Sequence, residues 1–66
     1  MPLMTIREAL FLSRLAYREQ ESQSPSTISP RQARDARDTL RLNGLVWQEF
    51  VGPLERLINH HPPNGD

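Results

Sequence analysis

Two tetrads fix where helices must begin. Thr5-Ile6-Arg7-Glu8 and Ser29-Pro30-Arg31-Gln32 each place a hydroxyl residue three positions before a Glu or Gln. In that spacing the hydroxyl accepts the amide of the third helical residue, and the longer side chain bonds back to the cap's own amide. Two donors that a helix start would leave unsatisfied are thereby answered. Pro30 strengthens the second start, because its ring presets φ and its missing N–H has no partner to lose in the first turn. Ile28 and Ala33 stand where a hydrophobic staple would.

The stops are legible as well. After Gln20, the run Glu21-Ser22-Gln23-Ser24-Pro25-Ser26-Thr27 replaces apolar periodicity with turn-forming residues, so the first helix spans about 6–20. Asn43-Gly44-Leu45 suits a Schellman ending, with Gly44 left-handed and Leu45 folding back on Leu40, so the second helix spans about 30–43. From Val46 onward, steps of about 100° bring Val46, Trp47, Phe50, Val51, Leu54, Leu57 and Ile58 onto one face. That pattern predicts a third helix over 46–60, bent at Gly52-Pro53, with Pro53 at the edge of the apolar arc and its lost hydrogen bond turned to water. A short extended piece to Val51 followed by a fresh helix from Pro53 is the other reading. The fold class expected is all-α, a small three-helix domain over residues 1–61, with 62–66 as a flexible tail.

Size makes the next question one of stability. A chain of 66 residues buries only about 60% of the surface its unfolded form exposes. With no cysteine, neither a disulfide nor a thiolate metal site reinforces it. Association with another molecule is the remaining support. The net charge is zero, which argues against coating nucleic acid or anionic membrane by bulk electrostatics. No apolar run is long enough for a membrane span or a secretory signal, and Glu8, Glu19 and Glu21 disfavour a mitochondrial leader. The expected location is the cytoplasm, with no membrane partner. Eight basic residues that are all arginine are associated with high-GC bacterial or phage genomes.

The first helix carries more apolar residues than one face needs. Leu3, Ile6, Leu10 and Tyr17, beside small Ala9, Ser13 and Ala16, form one stripe suited to the core. Met4, Phe11 and Leu15 lie almost opposite, with Leu12 beside them, between an arginine edge of Arg7, Arg14 and Arg18 and an acidic edge of Glu8 and Glu19. An apolar centre ringed by charge matches a protein interface. These seven residues, Met4, Phe11, Leu12, Leu15, Arg7, Arg14 and Arg18, are the candidate docking surface. Two copies pairing antiparallel through it would set arginine edge against acidic edge. Trp47 and Phe50, in phase with Leu54 and Leu57, read as core.

The second helix has a narrow apolar arc of Ala33, Ala36 and Leu40, and an arginine strip of Arg34, Arg37 and Arg41. Pairing along the helix, Arg31 with Asp35 and Arg34 with Asp38, would make this an ordinary solvated face. The stretch from Ile28 to Val46 also resembles the recognition-helix end of winged-helix regulators: a polar N-cap, an arginine-rich helix and a closing Gly44-Leu45-Val46. The likeness covers less than a third of the chain and departs from that family in having a Ser/Gln loop where the preceding short helix belongs. It implies DNA contact by Arg31, Gln32, Arg34, Arg37 and Arg41. The four arginines share the helix with Asp35 and Asp38, which repel phosphate.

Enzymatic chemistry has little to stand on. The sequence lacks a phosphate-cradling glycine loop and an H-E-x-x-H helix, and so small a domain has little room for a pocket beside its core. His60-His61 points in two directions about 100° apart if helical, which is not metal-ligand spacing. The reading is therefore a small helical regulator or inhibitor that docks on a partner protein as a homodimer, without cofactor or catalysis; the alternative is a DNA-binding transcriptional regulator using helix 30–43.

Overall fold

Both capping boxes form. Thr5 accepts the Glu8 amide at 3.1 Å and donates its own N–H to Glu8 Oε1 at 3.1 Å; Ser29 and Gln32 repeat the exchange at 3.2 and 3.1 Å. The Thr5 amide, and then its hydroxyl, hold the Glu8 carboxyl below the usual carboxylate range. In the computed structural model, which describes residues 4–59, the helices are α1 (Ile6–Glu21), α2 (Pro30–Leu42) and α3 (Gln48–Asn59). The all-helical, three-helix architecture is the expected one. Leu3, the proposed domain end at 61, the tail 62–66 and the histidines at 60 and 61 lie outside the described residues.

The connections explain how α1 and α2 are joined. Beyond Ser22 the chain turns through Gln23, a non-glycine residue with φ +57°. The Glu19 carboxylate then takes the Thr27 amide, at 3.3 and 3.2 Å to its two oxygens, and the Thr27 hydroxyl at 2.6 Å. This clamp fastens the loop just before Ile28, which enters the core. At the end of α2 the Schellman pattern is complete: Leu45 N–H reaches Leu40 O at 2.8 Å, Gly44 N–H reaches Arg41 O at 3.0 Å, and Gly44 has φ +78°.

That ending corrects the third helix. Residues 45–47 are not helical; α3 begins only at Gln48, with the Trp47 carbonyl accepting from Phe50 and Val51 at 2.9 and 3.0 Å. The helical phase therefore does not extend back to Val46 and Trp47, which are exposed, Trp47 at 59%, instead of buried in the core. Trp47 leans on Phe50 with ring centroids 5.8 Å apart. Of the two readings at Gly52-Pro53, the single helix is the one formed. Pro53 is buried, not turned to water, and its carbonyl accepts from Gln20 Nε2 at 2.8 Å. The acceptor left open by its missing N–H belongs to Glu49, an exposed residue.

The core sets the alanines of α1 and α2 against larger side chains: Ala9 and Ala16 of α1, Ala33, Ala36 and Leu40 of α2, and Val51, Leu54 and Leu57 of α3, with Ile28 from the loop. Small residues let helix backbones approach closely. The Ser13 hydroxyl donates a hydrogen bond to the Phe50 carbonyl and ties α1 to α3. Among the described residues Thr39 is the exception to side-chain polar satisfaction: it is buried and its Oγ1 has no hydrogen-bond partner. Replacing that hydroxyl by a methyl removes an unanswered dipole. Thr39→Val is expected to leave stability unchanged or raise it by up to about 1 kcal/mol, read from the denaturant midpoint; a loss of that size would mean that the hydroxyl has a partner after all.

Candidate protein-binding surfaces

The line by which α1 packs is Ala9, Ser13 and Ala16, all buried. With small residues at the centre of contact, the large ones are pushed to both flanks, so the expected core stripe holds at its small residues and at half-buried Leu10 but not at its other large residues described. Ile6 and Tyr17, expected inside, are exposed, Tyr17 at 50%. On the other flank Met4, Leu12 and Leu15, expected outside, are half-buried and pack against the core, whereas Phe11 is 66% exposed. The predicted docking surface is thus partly covered by its own fold. Its arginine edge is as expected: Arg7, Arg14 and Arg18 are exposed. Its acidic edge is not available, because Glu8 serves the Thr5 cap and Glu19 the Thr27 clamp.

Between α1 and α3 lies an open groove of about 560 Å3. Leu10, Tyr17, Phe50 and Pro53 give it apolar surface, and Arg14, Arg56, Gln48 and Glu49 are its charged and polar lining. Arg56 is steadied by Gln20 Oε1 at 3.3 Å. Trp47, tilted against Phe50, extends the aromatic surface next to it. Hydrogen bonds from Ser13 and Gln20 to the α3 backbone set the separation of the two walls. Tyr17, Trp47 and Phe50 are expected inside because they are large and apolar; Phe50 is half-buried against the core, whereas Tyr17 and Trp47 are exposed. The usable signal was the small residues at 9, 13 and 16, whose spacing of four and three marks the axis of close approach.

The arginines proposed for nucleic acid are largely occupied with folding. Arg41 pairs with Glu55 of α3 at 2.6 Å, and Arg37 with Asp38 at 3.2 Å. Gln32 completes the Ser29 cap. Arg31 is exposed, and Arg34 is half-buried. Among the described residues there is no strand to serve as a wing, no group of side chains suited to a metal ion, and no helix long and apolar enough to cross a membrane. No protein-family model, curated protein or solved structure matches this chain.

Proposed function

We propose that this chain is a small regulator that acts in the cytoplasm by binding another protein, and that the α1–α3 groove receives an amphipathic segment of that partner. The observation that carries this is the combination of exposed aromatic surface with flanking cations: Tyr17 and Phe50 within the groove, Trp47 beside it, and Arg14 and Arg56 in its lining. Aromatic and arginine side chains are the residue types that supply most of the energy at protein interfaces. A partner segment that sets an apolar side chain between Leu10 and Phe50 and a carboxylate near Arg56 would use both. A binding role also suits this lining better than catalysis does, since its contribution is apolar area and fixed charge. DNA binding is the less favoured reading, because Gln32, Arg37 and Arg41 are committed to contacts within the fold.

The test is a photo-crosslinking amino acid at position 17, compared with one at position 32 on α2, in the native cell. The groove reading expects a discrete crosslinked species from position 17 that is absent from position 32 and is lost with Arg56→Glu. The same species from both positions, or none from position 17, would overturn it.

A further inference from the structure

We infer that the segment received by the α1–α3 groove is an acidic amphipathic helix, lying lengthwise in the groove with its carboxylates on the flank that faces the outer edge of α1. This deepens the reading of the groove as a binding site and rests on it. Leu10, Tyr17, Phe50 and Pro53 form the apolar floor, and exposed Ile6 stands one turn before Leu10 on the same side of α1. The next strip outward on α1 is Arg7, Arg14 and Arg18, spaced so that they fall within about 40° of one another around the helix. All three are exposed, and none of their side chains has a hydrogen bond or ion pair with a described residue. The acid on that strip is Glu21, at its far end.

The α3 rim is balanced, because Glu49 and Arg56 line the groove with opposite signs. The uncompensated charge of the groove is therefore positive and runs along α1. The two walls run the same way, with Ser13 bonded to Phe50 and Gln20 to Pro53. Arg56, bonded to Gln20, consequently flanks the same end as Arg18, and Glu49 flanks the other. A fitting occupant has carboxylates along its α1 flank, densest near Tyr17, and apolar side chains beneath.

The spacing selects a helix for that role. Leu10 and Tyr17, like Arg7 and Arg14, are seven residues apart on α1, about 10 Å along its axis. A second helix laid alongside repeats at the same interval, so anchors at i, i+4, i+7 and i+11 follow the floor while acids one strip over stay in step with the arginines. An extended strand presents same-face side chains about every 6.7 Å and loses register with both rows.

The test uses synthetic peptides of about 18 residues without tryptophan, long enough for several helical turns. The first has leucines at the anchor spacing and glutamates along one flank; its twins carry glutamine or lysine at the glutamate positions, and a fourth keeps the glutamates but has prolines in its middle. Trp47, the only tryptophan of the chain and the neighbour of Phe50, reports binding by its fluorescence. The acidic helix is expected to give a saturable shift, with an affinity roughly tenfold above that of the glutamine twin, the sum of several small surface ion pairs. That advantage is expected to fade at about 0.5 M salt. Arg14→Glu with Arg18→Glu is expected to abolish it, whereas Arg31→Glu, an exposed position at the start of α2, is expected to retain it. The inference is overturned if a twin, the proline-interrupted peptide or an oligothymidylate binds as tightly as the acidic helix, or if no probe gives a saturable signal. The crosslink from position 17 separates the two levels: if it forms while the acidic helix does not bind, the groove receives another kind of segment, and if it fails as well, both readings fall.

Discussion

Leu54→Ala is expected to leave the chain mostly unfolded at 25 °C. Leu54 and Leu40 are the largest side chains wholly removed from solvent, and Leu54 sits where α3 closes on the alanines of α1 and α2. Truncating a buried leucine removes transfer free energy and leaves a cavity, together about 2–5 kcal/mol. A single core in a domain this small supplies about 3–5 kcal/mol of net stability, so the loss matches the whole. Far-UV circular dichroism with a urea titration reads the outcome. Leu42→Ala is the control: Leu42 is largely exposed, and its truncation is expected to change monomer stability by no more than about 0.5 kcal/mol. If the Leu54 variant melts cooperatively near the wild-type midpoint, α3 does not dock as described.

Enlarging the interior is expected to be nearly as damaging. Ala36 is fully buried on α2 among Ala9, Ala16, Ala33 and Leu40 of the same core. Ala36→Leu inserts three carbon atoms at a helix contact whose closeness depends on their absence. Overpacking of this kind costs about 1–3 kcal/mol, a large share of what so small a domain has. The expected signature differs from that of a cavity: helical circular dichroism persists while the unfolding transition shifts to lower urea and broadens, because the helices form but no longer seat together. An unchanged midpoint would show that the interior has slack at this point, contrary to an alanine-lined contact.

The elements readable from sequence are those governed by chemistry within a few residues. Thr5 with Glu8, Ser29 with Gln32, and Leu45 with Leu40 need only local geometry, and all three form. The start of α3 was not readable, because the apolar period runs unbroken through Val46 and Trp47 while the chain itself is still leaving the Gly44 turn. A 100° step has no meaning across residues 45–47, which are not helical. The facing of α1 was legible only in part: the line of Ala9, Ser13 and Ala16 belongs to the stripe expected to pack and is buried, but periodicity ranks residues by size and hydrophobicity, so it put large Ile6 and Tyr17 inside with them. Large residues on either side of that line became flanks. The α1–α3 groove could not be foreseen, since it exists only once Ser13 and Gln20 have bonded to the backbone of α3. The arginines of α2 showed the same gap, because their commitment to Glu55 and Asp38 is visible only after folding.

The commitment of Glu8 and Glu19 to cap and clamp reaches beyond the fold. A chain whose formal charges sum to zero still has a lopsided field, with Arg7, Arg14 and Arg18 projecting from α1 while the Glu8 and Glu19 carboxylates of the same helix are turned to the cap and the clamp. An approaching molecule meets that asymmetry before any side chain touches, and is turned by it during diffusion. The speed of encounter should therefore fall as ionic strength rises, even though electrophoresis near neutral pH would describe the molecule as almost uncharged.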